Sequence, residues 1–525
     1  MQPVNHKRRI VLKGGVAAAS LFLPAPYARV WAQSEGTVKL LQAPKVALVI
    51  GNGAYKSVPA LKNPPNDAKA IADTLKAFKF NVTLVVDARR SDMQAAMRNY
   101  AQTLEAAKGV GLFYFAGHGL QLAWHNYLLP VDAAIEKPDD VKNQGIDVDG
   151  LVTRLRKADN PMNVIILDAC RENPFGNDFR DRAKGLSQMD APLSTLLAYA
   201  TSPGNVAADG LGSNGLYTEN LLREMQVADA KIEDVFKRVR LNVRLQSNGM
   251  QIPWESTSLE EDFWFRPPDK LRKLSAEESQ RQFQEELALW EKIRGAKEPD
   301  PLEDYLRRYP SGKFTELAQL RLDRALAQRG EKKITIASAE GNPFSKGSAS
   351  ANTAYKVGDS YTYRILDLTT GAEKRVGTST VERITEDQVI FQHGFITDLL
   401  GNALQFPDGR RFSPRQQLPL EYAVGRQWHS RFTAKPRKGD EEGITDMDLK
   451  IVARERITVP AGTFDAFRID GVGTTTFKTN VTETRTRRWM APDQVRLAIA
   501  SEEILKAGSK TLIADRRELV SFKQS

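Results

Sequence analysis

Leu112-Phe113-Tyr114-Phe115-Ala116-Gly117-His118-Gly119 and Val164-Ile165-Ile166-Leu167-Asp168-Ala169-Cys170-Arg171 decide the fold of this chain. Each begins with four apolar residues, the pattern of a strand buried on both faces of a parallel sheet. Each then turns abruptly small and polar, so a histidine and a cysteine are expected just past the carboxyl ends of two such strands. In parallel α/β sheets that edge is where ligands bind. Cys170 lies 52 residues beyond His118, which leaves room for a helical crossover between neighbouring parallel strands.

The surrounding sequence repeats the pattern. Lys45–Ile50 is apolar and closed by Gly51, and Asn81–Val85, Asn163–Leu167 and Leu196–Ala200 are further strand candidates. Helical periodicity lies between them: Asn66-Asp67 caps a stretch through Lys76, and Ser91–Ala107, Val148–Lys157 and Tyr217–Met225 follow. Strands alternating with helices predict a mainly parallel sheet covered on both faces.

Cys170 is the only cysteine in 525 residues, so no disulfide framework exists and the thiol is either a small buried hydrophobe or a reactive group. Its neighbours favour reactivity. Phe113–Gly119 and Asp168–Cys170, with Leu61-Lys62-Asn63-Pro64-Pro65-Asn66-Asp67-Ala68 upstream, resemble the caspase-like clan of cysteine peptidases, peptidase family C14-like, in its bacterial metacaspase or orthocaspase branch. Asn126–Asp132 and Tyr199–Gly204 are similar to segments of bacterial members, and the resemblance covers residues 42–266. The His-Gly pair alone is unspecific, since His393-Gly394 repeats it; the two strands, their motifs and their order together are specific.

The resemblance implies an α/β caspase-like domain in which Cys170 is the nucleophile and His118 its base. A free thiol is only a few per cent thiolate at neutral pH, and an adjacent imidazole raises that fraction or takes the proton during attack. Backbone N–H groups of Gly119 and Cys170 are implied as the oxyanion donors. Gly119, lacking Cβ, would also admit close backbone approach by substrate. No third triad member is evident in the sequence, and the clan usually works as a Cys-His dyad.

By the same resemblance Asp67 and Asp168 line the first substrate pocket, with Asp209 a weaker candidate, which points to cleavage after Arg or Lys. The alternatives are local: Asp67 as a helix N-cap, and Asp168 as an acceptor for loop amides. Arg180–Gly185 reads as an exposed basic loop, either solvated or the site of self-processing. His125 lacks the strand-to-glycine setting of His118, and His393 and His429 belong to a later region. No Cys/His cluster has zinc spacing, so no metal or other cofactor is assigned. Some metacaspases need calcium, but no acidic loop here supports it. Gly51-Asn52-Gly53 after a strand lacks the third glycine of a dinucleotide site.

Half of the formal charge of +10 sits in residues 1–32, which hold Lys7, Arg8, Arg9, Lys13 and Arg29 and no acid. The rest of the chain is nearly balanced, which is no footprint for nucleic acid or anionic membrane. Lys7-Arg8-Arg9 followed by the apolar stretch Gly14–Pro26 reads as a twin-arginine signal, with cleavage expected after Ala32 and a bacterial periplasmic or otherwise extracytoplasmic product. That stretch is shorter than the ~20 residues a span needs, and no later segment qualifies, so no membrane span is expected.

Beyond the α/β region, residues 268–330 are charged and nearly glycine-free, with Phe283, Leu287 and Trp290 at helical spacing; a helical hairpin or repeat-like segment with an aromatic core is expected. Residues 331–354, rich in Gly, Ser, Ala and Lys, read as a linker. Residues 355–525 alternate in segments such as Ser360–Ile365 and Thr463–Ile469 between Gly, Asp and Pro turns, predicting an antiparallel β domain that loosely resembles bacterial envelope β domains. The function expected is an exported cysteine endopeptidase acting on a protein or peptide substrate. Its rivals are a catalytically silent scaffold whose helical and β segments bind envelope partners, and a ligand- or lipid-binding β module that the peptidase regulates.

Overall fold

The computed structural model describes residues 35–170, 185–202, 212–269, 274–332, 341–436, 442–478 and 480–525. Of Cys170 it describes the backbone. The signal-like segment 1–32, nearly all of the basic loop 180–185 and Asp209 lie outside these residues.

The N-terminal half is built on an eight-stranded sheet. Its strands are β1 (Lys45–Gly51), β2 (Asn81–Val86), β3 (Val110–Leu122), β4 (His125–Leu128), β5 (Ile146–Asp147), β6 (Met162–Cys170), β7 (Thr195–Tyr199) and β8 (Trp254–Thr257). The order is β2-β1-β3-β6-β7-β8, with β4 paired to β3 and β5 to β4. The five strands β2, β1, β3, β6 and β7 run parallel, and β8 is antiparallel at the edge.

Alternation of side chains along the strands makes two cores. Leu112, Tyr114 and Ala116 of β3 point to one face, packed with helix α1 (Pro64–Ala77) and with α5 (Leu216–Met225) and α6 (Ile232–Gln246). Phe113 and Phe115 point to the other, against α2 (Arg90–Ala107) and α4 (Val148–Ala158), with α3 (Pro138–Gln144) between those two in sequence. Runs without polar interruption are what a strand covered on both sides requires. The chain leaves β1 in one direction to β2 and then returns past it to β3. The order therefore reverses between β1 and β3, the kind of point at whose carboxyl ends open parallel sheets bind ligands.

Three helices follow: α7 (Ala276–Ile293), α8 (Asp300–Arg308) and α9 (Thr315–Gln328). They close on Phe283, Trp290, Leu302, Tyr305 and Phe314, with Trp290 stacked on Phe314 at 6.0 Å. The aromatic stripe is core.

From Ser360 to Lys523 twelve antiparallel strands form a closed barrel, in which Ser360–Asp367 pairs with the last strand, Lys510–Lys523. An α/β domain followed by an all-β domain is the architecture the sequence implies; that the β domain closes on itself is new. Closure leaves no exposed edge strand. No helix among the described residues is long and apolar enough to cross a membrane.

The stretch read as a linker makes specific contacts. Asn342 Nδ2 donates to the Gln188 carbonyl (2.7 Å), the Asp190 amide donates to the Phe344 carbonyl (2.9 Å), and the Ser345 hydroxyl and Lys346 amide both donate to the Asp190 carboxylate (2.7 Å each). Ser348–Ser350 then pairs with Glu421–Ala423 beside the barrel. Arg240 of α6 completes the junction with a bidentate pair to Glu421 at 2.6 and 3.0 Å.

Candidate active site

Strand β3 does not stop before the histidine. It runs on to Leu122 and carries His118 within it, so the expectation that His118 lies just past the strand is corrected. The parallel register with β6 breaks between Ala116 and Gly119, where Gly117 takes φ of 155°. After this bulge Gly119 pairs with Cys170, the last residue of β6. The histidine and the cysteine thus stand at one level on neighbouring strands, at the carboxyl edge of the sheet.

His118 is 4% exposed. Its Nε2 lies 2.8 Å from the carbonyl oxygen of Pro59, and since a carbonyl only accepts, the proton sits on Nε2. In the neutral ring Nδ1 then carries the lone pair, as a base requires. Tyr55 stands against the ring at 4.6 Å between centroids, accepts the His118 backbone N–H at 2.8 Å and donates to the Leu129 carbonyl at 3.2 Å.

Both Tyr55 and Pro59 come from the loop after β1. Asp87 holds its start by accepting the amides of Gly53 and Ala54 at 2.8 Å each, and Gly53 accepts the amide of Leu61 at 2.9 Å. A Cβ on Gly53 would fall 2.3 Å from the Leu61 carbonyl, and one on Gly51 would fall 2.3 Å from that of Pro64. These glycines fold a loop onto the histidine, which accounts for them without a nucleotide.

Sequence reasoning missed both ring partners. Pro59 acts through its carbonyl, which carries no side-chain signal; an aromatic four residues beyond a buried strand was the available hint of Tyr55.

Gly119 has a packing reason of its own. A Cβ there would fall 2.7 Å from the Ala169 carbonyl and 2.9 Å from the Ala169 Cβ, so its bareness admits β6.

Asp67 and Asp168 come together on the sheet face of Leu112, Tyr114 and Ala116. Asp67 is 2% exposed and lies in the first turn of α1, which Asn63 precedes as N-cap; it is not the cap itself. Its Oδ1 accepts the Gly215 amide at 2.9 Å. Asp168, 8% exposed, accepts the Thr218 hydroxyl at 2.9 Å, and that hydroxyl meets the Tyr114 phenol at 2.6 Å. Burial pushes the Tyr114 phenol well up, and the charges of Asp168 and then Asp67 push it further, so both carboxylates face one point.

His125 is bound elsewhere: its Nδ1 lies 3.2 Å from Asp147 and 3.0 Å from Asp149, with Phe344 edge-on at 4.7 Å. Among the described residues these three form the one grouping of metal-ligand type. Calcium takes six to eight oxygen ligands, and a nitrogen beside two carboxylates, one of which caps α4 through the Asp149 amide, does not fit it. His429 lies between Asp446 and Asp448 on the barrel, and His393 occupies a turn there.

Residues 44–264 match the model of peptidase family C14, the caspase domain. With the sheet order and the Gly119–Cys170 pairing in place, this decides the assignment. Residues 44–264 form a caspase-like domain. The chain is 30% identical over 206 residues to human mucosa-associated lymphoid tissue lymphoma translocation protein 1, and 30% over 204 residues to its mouse homolog. Each alignment covers 38% of this chain but only 24% and 23% of those proteins. The chain thus spans about a quarter of the length of the curated relatives it matches.

Proposed function

We propose that this chain is an exported cysteine endopeptidase that cleaves after arginine or lysine. The observation that carries the reading is the rung Gly119–Cys170 beside a histidine whose Nε2 is tied to Pro59. That arrangement suits a proton acceptor on one strand and a nucleophile on the next.

In the proposed reaction His118 Nδ1 takes the thiol proton, and the Cys170 sulfur attacks the scissile carbonyl carbon. The oxyanion is stabilised by backbone N–H groups of Gly119 and Cys170. Collapse of the tetrahedral intermediate breaks the C–N bond, and the imidazolium gives its proton to the leaving amine. Water, activated by the same ring, then hydrolyses the thioester. Asp67 and Asp168 supply negative charge for a cationic side chain, for which arginine is best matched by planar bidentate pairing. The twin-arginine pattern supports an extracytoplasmic location, with a protein or peptide as substrate and envelope partners for the β domain.

The test is peptidase profiling of the mature chain on a random peptide library beside Cys170→Ala and His118→Ala. Cleavage after Arg or Lys, absent from both variants, is expected. Cleavage that survives in Cys170→Ala, or a preference for Asp, overturns the reading.

A further inference from the structure

Arg415 is a buried cation in an apolar wall. It is 8% exposed, and its guanidinium carbon lies 4.1 Å from the ring centre of Phe412, 5.1 Å from Phe432 and 6.0 Å from Phe406. Its Nε is buried with no hydrogen-bond acceptor, and no carboxylate of the described residues forms an ion pair with it. Such a charge is expensive to bury unless something neutralises it.

The groups facing it do not serve. Arg488 and Arg410 add positive charge, and Arg410 is held by Asp408 at 2.8 Å. Glu503 and Asp398 act only from a distance. Both Asp398 oxygens are occupied: Oδ1 accepts the amides of Leu400 and Asn402, and Oδ2 the Asn402 side chain, each at 2.9 Å. Burial, and then the charge of Arg488, draw the Arg415 guanidinium down to about 9, which still leaves it protonated at neutral pH.

Further unsatisfied groups collect nearby. Arg488 gives Nη2 to Gln417 at 3.1 Å, while its Nη1 is buried without an acceptor. The hydroxyls of Ser430 and Thr486 are likewise buried and unsatisfied. Ser430 and Thr486 border Met447, the first as its partner across the sheet and the second with it over Gly471, and Gln417 links Met447 to Arg488. A twelve-stranded barrel is wider than the eight-stranded kind that side chains alone fill. Beside Arg415 runs a row of rings, Phe395–Phe406–Phe412–Phe432, with centroids 5.5 to 6.1 Å apart.

We propose that the barrel holds an anionic oxygen head group, carboxylate or phosphate, between Arg415 and Arg488, with an apolar tail along the phenylalanine row. This site lies in the β domain and is independent of the peptidase reading. Guanidinium pairs such oxyanions bidentately, and the neighbouring hydroxyls supply further donors.

The experiment is thermal unfolding and calorimetric titration of the full mature chain with dodecanoate and dodecyl phosphate below their aggregation concentrations. Decanol, acetate and inorganic phosphate are the comparison probes. Dodecanoate or dodecyl phosphate is expected to raise Tm by about 2–4 °C or more, and decanol to leave it unchanged. An equal rise with inorganic phosphate or acetate alone would identify a free anion as occupant and still support the site. Arg415→Met is expected to melt higher than wild type without ligand and to lose the response; Arg488→Gln should bind at least about tenfold more weakly. No anion response in wild type, equal response to decanol, or an Arg415→Met protein that melts lower would overturn the proposal. The last result would mean that the chain itself neutralises Arg415.

Discussion

Tyr55 and His118 hold one another: the phenol oxygen accepts the histidine's backbone N–H at 2.8 Å while the two rings stand 4.6 Å apart. A ring proposed as general base needs a fixed orientation, and here one loop supplies both the wall and, through Pro59, the anchor. Tyr55→Phe keeps the wall and deletes the acceptor. Leaving a buried N–H unsatisfied costs about 1–3 kcal/mol, so the urea midpoint should fall. Peptidase kcat should drop by about tenfold with little change in KM, since a tilted base affects the chemical step. Unchanged kcat would mean that Pro59 alone orients the ring.

Asp67 and Asp168 should separate specificity from chemistry. Asp168→Asn and Asp67→Asn keep the shape of each side chain while removing charge. On substrates ending in arginine each should lower kcat/KM by about tenfold or more, the loss of a charge-assisted pair. Labelling of Cys170 by a small alkylating agent should be unaffected. If arginyl substrates are cleaved as before, these carboxylates serve only to hold Gly215 and Thr218.

Gly119→Ala tests why β3 can approach β6 so closely. The added methyl would sit 2.7 Å from the Ala169 carbonyl and 2.9 Å from the Ala169 Cβ, and neither atom can yield without moving β6. Overpacking of this kind costs about 1–3 kcal/mol, and it would displace Cys170 relative to His118. Both thermal stability and activity are expected to fall. A variant of wild-type stability and activity would show that the strands can part without consequence.

What the sequence revealed and what it hid follow from how each feature is encoded. Buried strands announce themselves because both faces must be apolar, so β1, β3 and β6 could be placed from their residues, and the motifs at their ends with them. The extent of β3 could not, because the bulge at Gly117 lets a strand absorb polar residues. Pro59 was invisible because its contribution is a backbone carbonyl. Asp67 could be placed near the start of α1, but only tertiary packing brings Gly215 to its carboxylate. Barrel closure depends on a register between Ser360–Asp367 and Lys510–Lys523, some 150 residues apart, which no local pattern carries.

Asp190 ties the segment before β7 to the approach to the barrel. Its carboxylate takes the Ser345 hydroxyl and Lys346 amide, and burial raises its pKa above the ordinary range against those donors. Asp190→Ala removes both acceptors and should release residues 341–347. Limited proteolysis is expected to cut there at least several-fold faster, with overall unfolding little changed. Equal rates would mean that the Phe344 and Asn342 contacts suffice.

The Arg240–Glu421 pair gives the junction a pH dependence. Burial alone would raise the Glu421 carboxyl, but Arg240, through charge and two hydrogen bonds, outweighs it and leaves the pKa below the usual glutamate value. A depressed folded pKa means that the unfolded chain binds the proton more readily. The stabilisation is therefore fully present above the unfolded value of about 4.3 and is lost as pH falls through the lower, folded value. Glu421→Gln should cost about 2 kcal/mol at pH 7, below the value for a fully buried pair because each side chain is 26% exposed. The difference between wild type and variant should shrink below pH 4, read from urea midpoints between pH 3 and 7. A difference independent of pH would show that the geometry of the side chain, rather than its charge, holds the two domains together.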